Sequence, residues 1–231
     1  MAVVQAAIPA CGPEPDADCQ LCPRLAQFLS QQRVREPTWH NGPVASFGEA
    51  SAKVLIVGLA PGLAGANRTG RPFTGDYAGD LLYSTLLDFG LARGTFDART
   101  DDGLVLVDTM ITNAVRCVPP QNKPLPAEIN TCRQFLVSQI AALPDLRAIV
   151  ALGRVAHESS VVALGRKRAA FPFGHGAQHA VAPGLTLFDS YHCSRYNTNT
   201  GVLTREMFRR VFAAVKHHIG EAEPRLTTTE A

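Results

Sequence analysis

The apolar run Val54-Leu55-Ile56-Val57 feeds directly into the loop GLAPGLAGANRTGRPFTGD, residues 58–76, which holds five glycines and two prolines. Four successive aliphatic residues with no polar alternation read as a strand buried on both faces. Glycine carries no Cβ and tolerates positive φ, so a loop this rich in it lets backbone approach a ligand closely. A buried strand that ends in such a loop requires a fold whose strand ends border a binding crevice.

The rest of the chain supplies that fold. Strands are expected at 53–59, 147–152 and 185–188, with extended segments at 104–107 and 111–115. Between them lie segments of helical period at 78–89, 126–143, 154–164 and about 204–218. The helix at 126 opens on a proline, where the missing N–H costs nothing. In the last helix Met207, Val211, Val215 and Ile219 recur every four residues, and Phe208 and Phe212 widen the stripe. Alternation of this kind predicts an α/β fold, a single three-layer domain with a central, mostly parallel sheet flanked by helices. With 231 residues and 46% hydrophobic content the chain can bury a full core in one domain. The domain is expected over 17–220, with poorly ordered ends at 1–16 and 221–231.

Such sheets bind ligands beyond the carboxyl ends of their strands. Three polar loops fall there, at 58–76, 113–120 and 192–199, and are expected to face one cleft. A net charge of +2 is too small to mark a nucleic-acid binder by itself, so such a role must rest on local clustering. No run approaches the roughly 18 apolar residues of a membrane span, and the N-terminus lacks a basic leader, so a cytoplasmic protein is expected.

Four of the six cysteines pair up, as Cys19-x2-Cys22 and Cys117-x14-Cys132, leaving Cys11 and Cys193. Four thiolates suit either zinc or an iron–sulfur cluster, and spacing does not choose between them. Buried free thiols are the plain alternative.

Residues 58–62 (GLAPG) and 67–76 (NRTGRPFTGD), then 112–117 (TNAVRC) and 191–197 (YHCSRYN), resemble the motifs of the uracil-DNA glycosylase superfamily, closest to its iron–sulfur family-5 branch. The likeness extends from about Cys19 to Phe212. It implies a structural [4Fe–4S] cluster on Cys19, Cys22, Cys117 and Cys132. It also implies hydrolysis of the N-glycosidic bond of a deaminated base, uracil and in broader members hypoxanthine or xanthine, in damaged, double-stranded DNA. The chain is expected to act as a monomer.

The resemblance assigns roles that residue chemistry supports. A base inside a duplex must be flipped out to be reached, and Phe73 resembles the family's stacking phenylalanine, although phenylalanine also serves ordinary cores. Asn113 offers a donor and an acceptor to the edge of uracil. His192 resembles the histidine that stabilises charge developing on the base. Gly58, Ala60, Pro61 and Gly62 are expected to shape the pocket. Ala60 stands where other branches carry an acid or amide that orients water, and alanine cannot do so. Asp76 in the same loop is the carboxylate that takes over, by holding water or by stabilising a cationic sugar; it also fits the N-cap of the next helix. Arg68, the Arg166-Lys167-Arg168 cluster, Ser194, Arg195 and Tyr196 are expected to contact DNA.

Two other classes remain in view. A nucleotide-binding protein of the same fold loses its main support, because neither G-x-G-x-x-G nor G-x-x-x-x-G-K-[ST] occurs. A DNA protein that holds lesions or abasic sites without efficient turnover is left open by Ala60.

Overall fold

The computed structural model describes residues 12–220. The remaining terminal residues, which the sequence reading placed in its loose ends, lie outside the described residues, and Cys11 with them. The elements run α1 (Pro23–Arg35), β1 (Phe47–Gly48), β2 (Val54–Gly58), α2 (Ala66–Thr69), α3 (Tyr77–Asp88), β3 (Ala92–Arg93), β4 (Val105–Leu106), β5 (Thr109–Asn113), α4 (Pro126–Ala141), β6 (Ala148–Leu152), α5 (Arg154–Ala163), β7 (Gln178–Ala182), β8 (Leu185–Ser190), α6 (Arg195–Asn199) and α7 (Arg205–Gly220).

The main sheet has the order β1-β5-β2-β6-β8-β7, with β5, β2, β6 and β8 parallel and both edge strands antiparallel to their neighbours. β3 and β4 form a separate antiparallel pair. Every residue of β2, β5 and β6 is buried, because helices cover both faces. Val54, Ile56, Val150 and Phe188 pack against Leu82 and Leu86 of α3 and against Phe208, Phe212 and Val215 of α7. Leu55, Val57, Ile149 and Leu187 face the other way, against Leu136 of α4 and Ala156 and Val161 of α5. This is the expected three-layer α/β domain. Truncating Ile56 to alanine at the centre of the sheet would cost about 2–5 kcal/mol through lost burial and the cavity left behind.

α1 lies outside those layers. Its Leu25 and Leu29 pack with Val115, Val118 and Phe135 around Cys117 and Cys132. Arg24 grips Glu128 at the start of α4 with two 2.7 Å hydrogen bonds. Glu128 in turn accepts the N–H of Leu125 at 2.7 Å, which meets one of the unpaired donors at that helix start. No described helix is long and apolar enough to cross a membrane.

Candidate active site

The chain leaves β2 for β5 on one side and then crosses to β6 on the other, so the connections from the carboxyl ends of β2 and β5 lead to opposite sides at the middle of the sheet. This switch point opens the crevice that such sheets use for ligands. A cleft of ≈ 620 Å³ sits there, lined by Leu59–Gly62 after β2, Asn113 at the end of β5, Leu152–Val155 after β6 and His192, Ser194 and Arg195 after β8, together with Phe73, Asp76, Tyr77, Ala78 and Asn122. All three glycine-rich or polar loops read from the sequence therefore reach one cleft.

The loop carrying Phe73 is held against its own preference. Phe73 has φ 53°, the left-handed region that disfavours a side chain. Neighbours fix it there: Tyr83 Oη donates to the Pro72 carbonyl at 2.6 Å and Arg71 Nε donates to Thr74 Oγ1 at 2.8 Å. Arg71 is buried beneath the rings of Phe47, Tyr83 and Phe96 and makes a two-pronged pair with Asp102, at 2.9 and 2.6 Å. That pair, with burial opposing it, holds the Asp102 carboxyl far below the usual carboxylate range. Gly58 does not line the cleft itself but makes room behind it, since a Cβ there would fall 2.3 Å from Asn113 Oδ1 and 2.6 Å from Phe73 Cζ.

Asp76 lines the cleft and also starts the next helix. It is the N-cap of α3, with Oδ1 accepting the Gly79 N–H at a long 3.4 Å. Its other oxygen, Oδ2, faces Gly62 and Gly65, where a Cβ would come within 2.9 and 2.4 Å. The carboxyl is therefore available on the cleft side while still capping. Burial raises its pKa above the ordinary value, opposed by the N–H groups of Gly79 and Ala78 and assisted by Asp80.

Asn113 ends β5 paired with Gly58 in register and is 3% exposed, yet its Oδ1 has no hydrogen-bond partner among the described residues. An unpaired buried amide costs stability, and here it borders a cleft. His192 follows β8 with its ring 6.0 Å from that of Phe73, the planes 28° apart. Asn197 Nδ2 donates to the His192 carbonyl at 2.8 Å and fixes its backbone. Burial lowers the His192 pKa to about 4, so the imidazole is neutral near pH 7.

The basic residues sort differently. Arg195 lines the cleft with its guanidinium 5.3 Å over the Tyr77 ring. Ser194 also lines it and caps α6 by accepting from Asn197 N. Tyr196 is 74% exposed just outside. Arg68 turns back to the Ala64 carbonyl at 2.8 Å. Arg166 donates to the Val181 carbonyl and Arg168 pairs with Glu158, leaving Lys167 exposed; none of these four borders the cleft. The sequence reading missed Arg154 and Asn122. Arg154 was hidden as the first residue of a helix. Asn122 lies in a Pro-Pro-Gln-Asn turn in which both Gln121 and Asn122 have φ 56°, and that turn chemistry was its only sequence signal.

Cys19, Cys22, Cys117 and Cys132 line one small cavity behind the cleft, with Pro15, Arg116 and Phe135. None of the four is in a disulfide among the described residues. Burial, then the mutual repulsion of their charges, pushes up the Cys117 thiol; the Cys132 thiol, pushed up by burial against the pull of Arg116, stands at about 11. Thiolates at such a site require a bound cation. Arg116 offers its backbone N–H to Cys132 Sγ at 3.3 Å, while its buried guanidinium holds Glu14 at 2.9 Å and the Pro13 carbonyl at 3.1 Å. The donor set and its polar shell fit a thiolate-bound metal group. Ala60 packs on the same cluster of side chains, so this layer backs the cleft floor.

Residues 45–216 match the family described as "Uracil DNA glycosylase superfamily". The chain is 44% identical over 208 residues to a type-5 uracil-DNA glycosylase of Thermus thermophilus, covering 87% of this chain and 94% of that one. It is 37% identical over 198 residues to a type-5 uracil-DNA glycosylase of Pyrobaculum aerophilum, covering 84% of this chain and 86% of the relative. The type-4 enzyme of the same organism matches only 130 residues at 36%, 56% of this chain and 58% of its own.

Proposed function

The chain belongs to the uracil DNA glycosylase superfamily, and from that premise we propose how its cleft excises a base. It is a DNA repair hydrolase of N-glycosidic bonds that removes uracil, and the extent of its likeness to the type-5 enzymes puts it with them. A flipped uracil enters the cleft and stacks on Phe73. The observation that carries this reading is Asn113, which lines the cleft and whose buried Oδ1 has no partner among the described residues: its amide accepts the ring N–H of uracil, and its NH₂ donates to a ring carbonyl.

Cleavage leaves negative charge on the departing base and positive charge on the sugar. His192, neutral because its pKa is lowered to about 4, donates a hydrogen bond to uracil O2 without giving up a proton. Asp76 acts from the opposite charge: its carboxylate orients the attacking water or stabilises the oxocarbenium-like sugar. Arg195 and Ser194 at the rim hold the phosphates of a double-stranded substrate. Ala60, Pro61 and Gly62 leave the floor open enough for hypoxanthine and xanthine. A hypoxanthine duplex left uncut would contradict that breadth. The protein acts as a cytoplasmic monomer.

Cys19, Cys22, Cys117 and Cys132 would hold a [4Fe–4S] cluster. When bound, it would supply a structural cross-link between the start of α1, the segment joining β5 to α4, and α4 itself.

The test is direct. A duplex with one U opposite G is incubated with the protein, and free uracil is measured by mass spectrometry alongside alkali-labile sites. Both are expected; a duplex that is bound but yields neither would make this a lesion-binding protein instead.

A further inference from the structure

Asp189, the penultimate residue of β8, is fully buried, and no step of excision uses it. Its Oδ1 lies 2.7 Å from His157 Nδ1 on α5; its Oδ2 lies 3.3 Å from His179 Nε2 on β7 and accepts the Gly174 N–H at 3.3 Å. The other nitrogen of His157, Nε2, lies 2.8 Å from the Phe171 carbonyl. A carbonyl can only accept, so Nε2 carries a hydrogen. Asp189 already accepts from Gly174, so one further proton shared between Nδ1 and Oδ1 completes the network as an imidazolium–carboxylate pair. The 2.7 Å contact is the length of a charge-assisted hydrogen bond. Two ligand atoms on one tetrahedral cation would stand about 3.3 Å apart, so the contact is a hydrogen bond and not a collapsed metal site. Burial lowers the His157 pKa, and the hydrogen bond and charge of Asp189 outweigh it, leaving the ring above the ordinary histidine value.

This pair fastens a turn that touches the active site twice. Phe173 meets the His157 ring edge-on at 5.6 Å and carries the Arg154 guanidinium 5.3 Å over its own ring; Arg154 lines the cleft. His175 stacks on Tyr191 at 5.0 Å and accepts the Tyr191 N–H at 3.1 Å, one residue before His192. The turn is also laced to the backbone of Asp189, through Gly176 N at 2.8 Å and Ala177 O at 2.9 Å.

We propose that His157 is a positioning residue for uracil excision: through its hydrogen-bonded pair with Asp189 it pins the 171–176 turn, and that turn holds Arg154 at the cleft mouth against the DNA and keeps Tyr191-His192 in line. The role rests on the glycosylase reading. The groups facing His157 are Asp189 from β8, His179 from β7 and, on its own helix, Glu158, which is engaged by Arg168 at 2.8 Å and by Arg154 at 4.0 Å. As pH rises through the elevated pKa of His157, the shared proton leaves and the turn loosens.

The test pairs kinetics with ¹⁵N NMR of the histidine rings on the full chain, with His157→Gln assigning the His157 signals. Both ring nitrogens of His157 are expected to stay protonated above pH 6.5, the ordinary histidine value. His157→Gln is expected to raise KM for the uracil duplex about tenfold, with a smaller loss in kcat. Arg154→Gln should raise KM similarly and add little in the His157→Gln background, because both act through one turn. A second variant, His157→Leu with Asp189→Val, replaces the pair by apolar side chains that keep the core filled; it should show the raised KM without the wild-type rise in KM at alkaline pH. A wild-type KM and pH profile in the folded double variant, or additive effects of His157 and Arg154, would overturn the proposal. A wild-type chain that released no uracil would overturn the excision role at its root, whereas the ring titration would still decide whether the pair exists.

Discussion

Phe73 and His192 face each other across the cleft with ring centroids 6.0 Å apart and planes inclined by 28°. One ring comes from the loop after β2 and the other from the loop after β8, so the sheet fixes their separation. In the proposed mechanism Phe73 stacks the flipped base, and stacking of a base on an aromatic side chain contributes about 1–3 kcal/mol. Phe73→Ala is expected to lower single-turnover kcat/KM on a uracil duplex by about ten- to hundredfold. Melting temperature should fall as well, because Phe73 is buried in the core cluster and alanine, which keeps a Cβ, relieves none of the strain at φ 53°.

The pH profile separates the two polar groups. In the proposed mechanism Asp76 works as a carboxylate, and its pKa is raised by burial, so the rate should fall as pH drops through a value above the ordinary 3.8. His192 is already neutral down to about pH 4, so no loss centred near 6.5 is expected from it. Single-turnover rates measured from pH 4 to 9 should show that acid limb in the wild type, and Asp76→Asn should abolish it along with most of the rate. The lowered pKa of His192 has a stability consequence of opposite origin. Below pH 6.5 the unfolded chain takes up a proton that the folded one refuses, so stability falls as pH drops from 6.5 towards 4.

Much of this arrangement was legible in the residues. Apolar runs marked β2, β6 and β8, because strands covered on both faces need no polar alternation, and Pro126 marked the start of α4. The glycine-rich loop and the Asn113 and His192 segments were read to one cleft, where they meet. The edge strands β1 and β7 were not legible: β1 is two residues long, and β7, Gln-His-Ala-Val-Ala, is exposed on one side and carries no strong apolar signal. β8 was read to stop at Phe188 because Asp189 and Ser190 are polar, yet both are buried, Asp189 by its pairing with His157. α1 was missed because only Leu25, Leu29 and Gln32 are buried on it, a narrow stripe packed on the cysteine layer and not on the sheet. Two of the three side chains of the basic cluster at 166–168 find partners within the fold, and the cations that line the cleft are Arg154 and Arg195.

Arg71 and Asp102 form a buried pair behind the Phe73 loop, 5% and 0% exposed. Asp102→Ala strands a buried guanidinium, which costs about 3–5 kcal/mol. Thermal melts should show that loss, and the Phe73-dependent part of kcat/KM should fall with it. Because the folded pKa of Asp102 is depressed, its contribution is present above the unfolded value and is lost as pH falls through the folded one.

The four cysteines predict a metal content that can be measured apart from activity. Anaerobically purified protein should be brown and contain iron and sulfide in the ratio of a [4Fe–4S] cluster, and Cys132→Ala should lose the colour together with the packing of α1. A colourless zinc protein that still released uracil would remove the cluster and leave the excision chemistry standing.

The most direct measurement is single-turnover excision from a duplex with one U opposite G, comparing wild type, Asp76→Ala and His192→Ala, with duplex affinity measured on the same samples. In the proposed mechanism Asp76 and His192 act on charge that exists only in the transition state, so each variant should lose about a hundredfold or more in rate with little change in binding. Rates that stay near wild type, or losses that appear equally in affinity, would contradict the roles assigned to both residues.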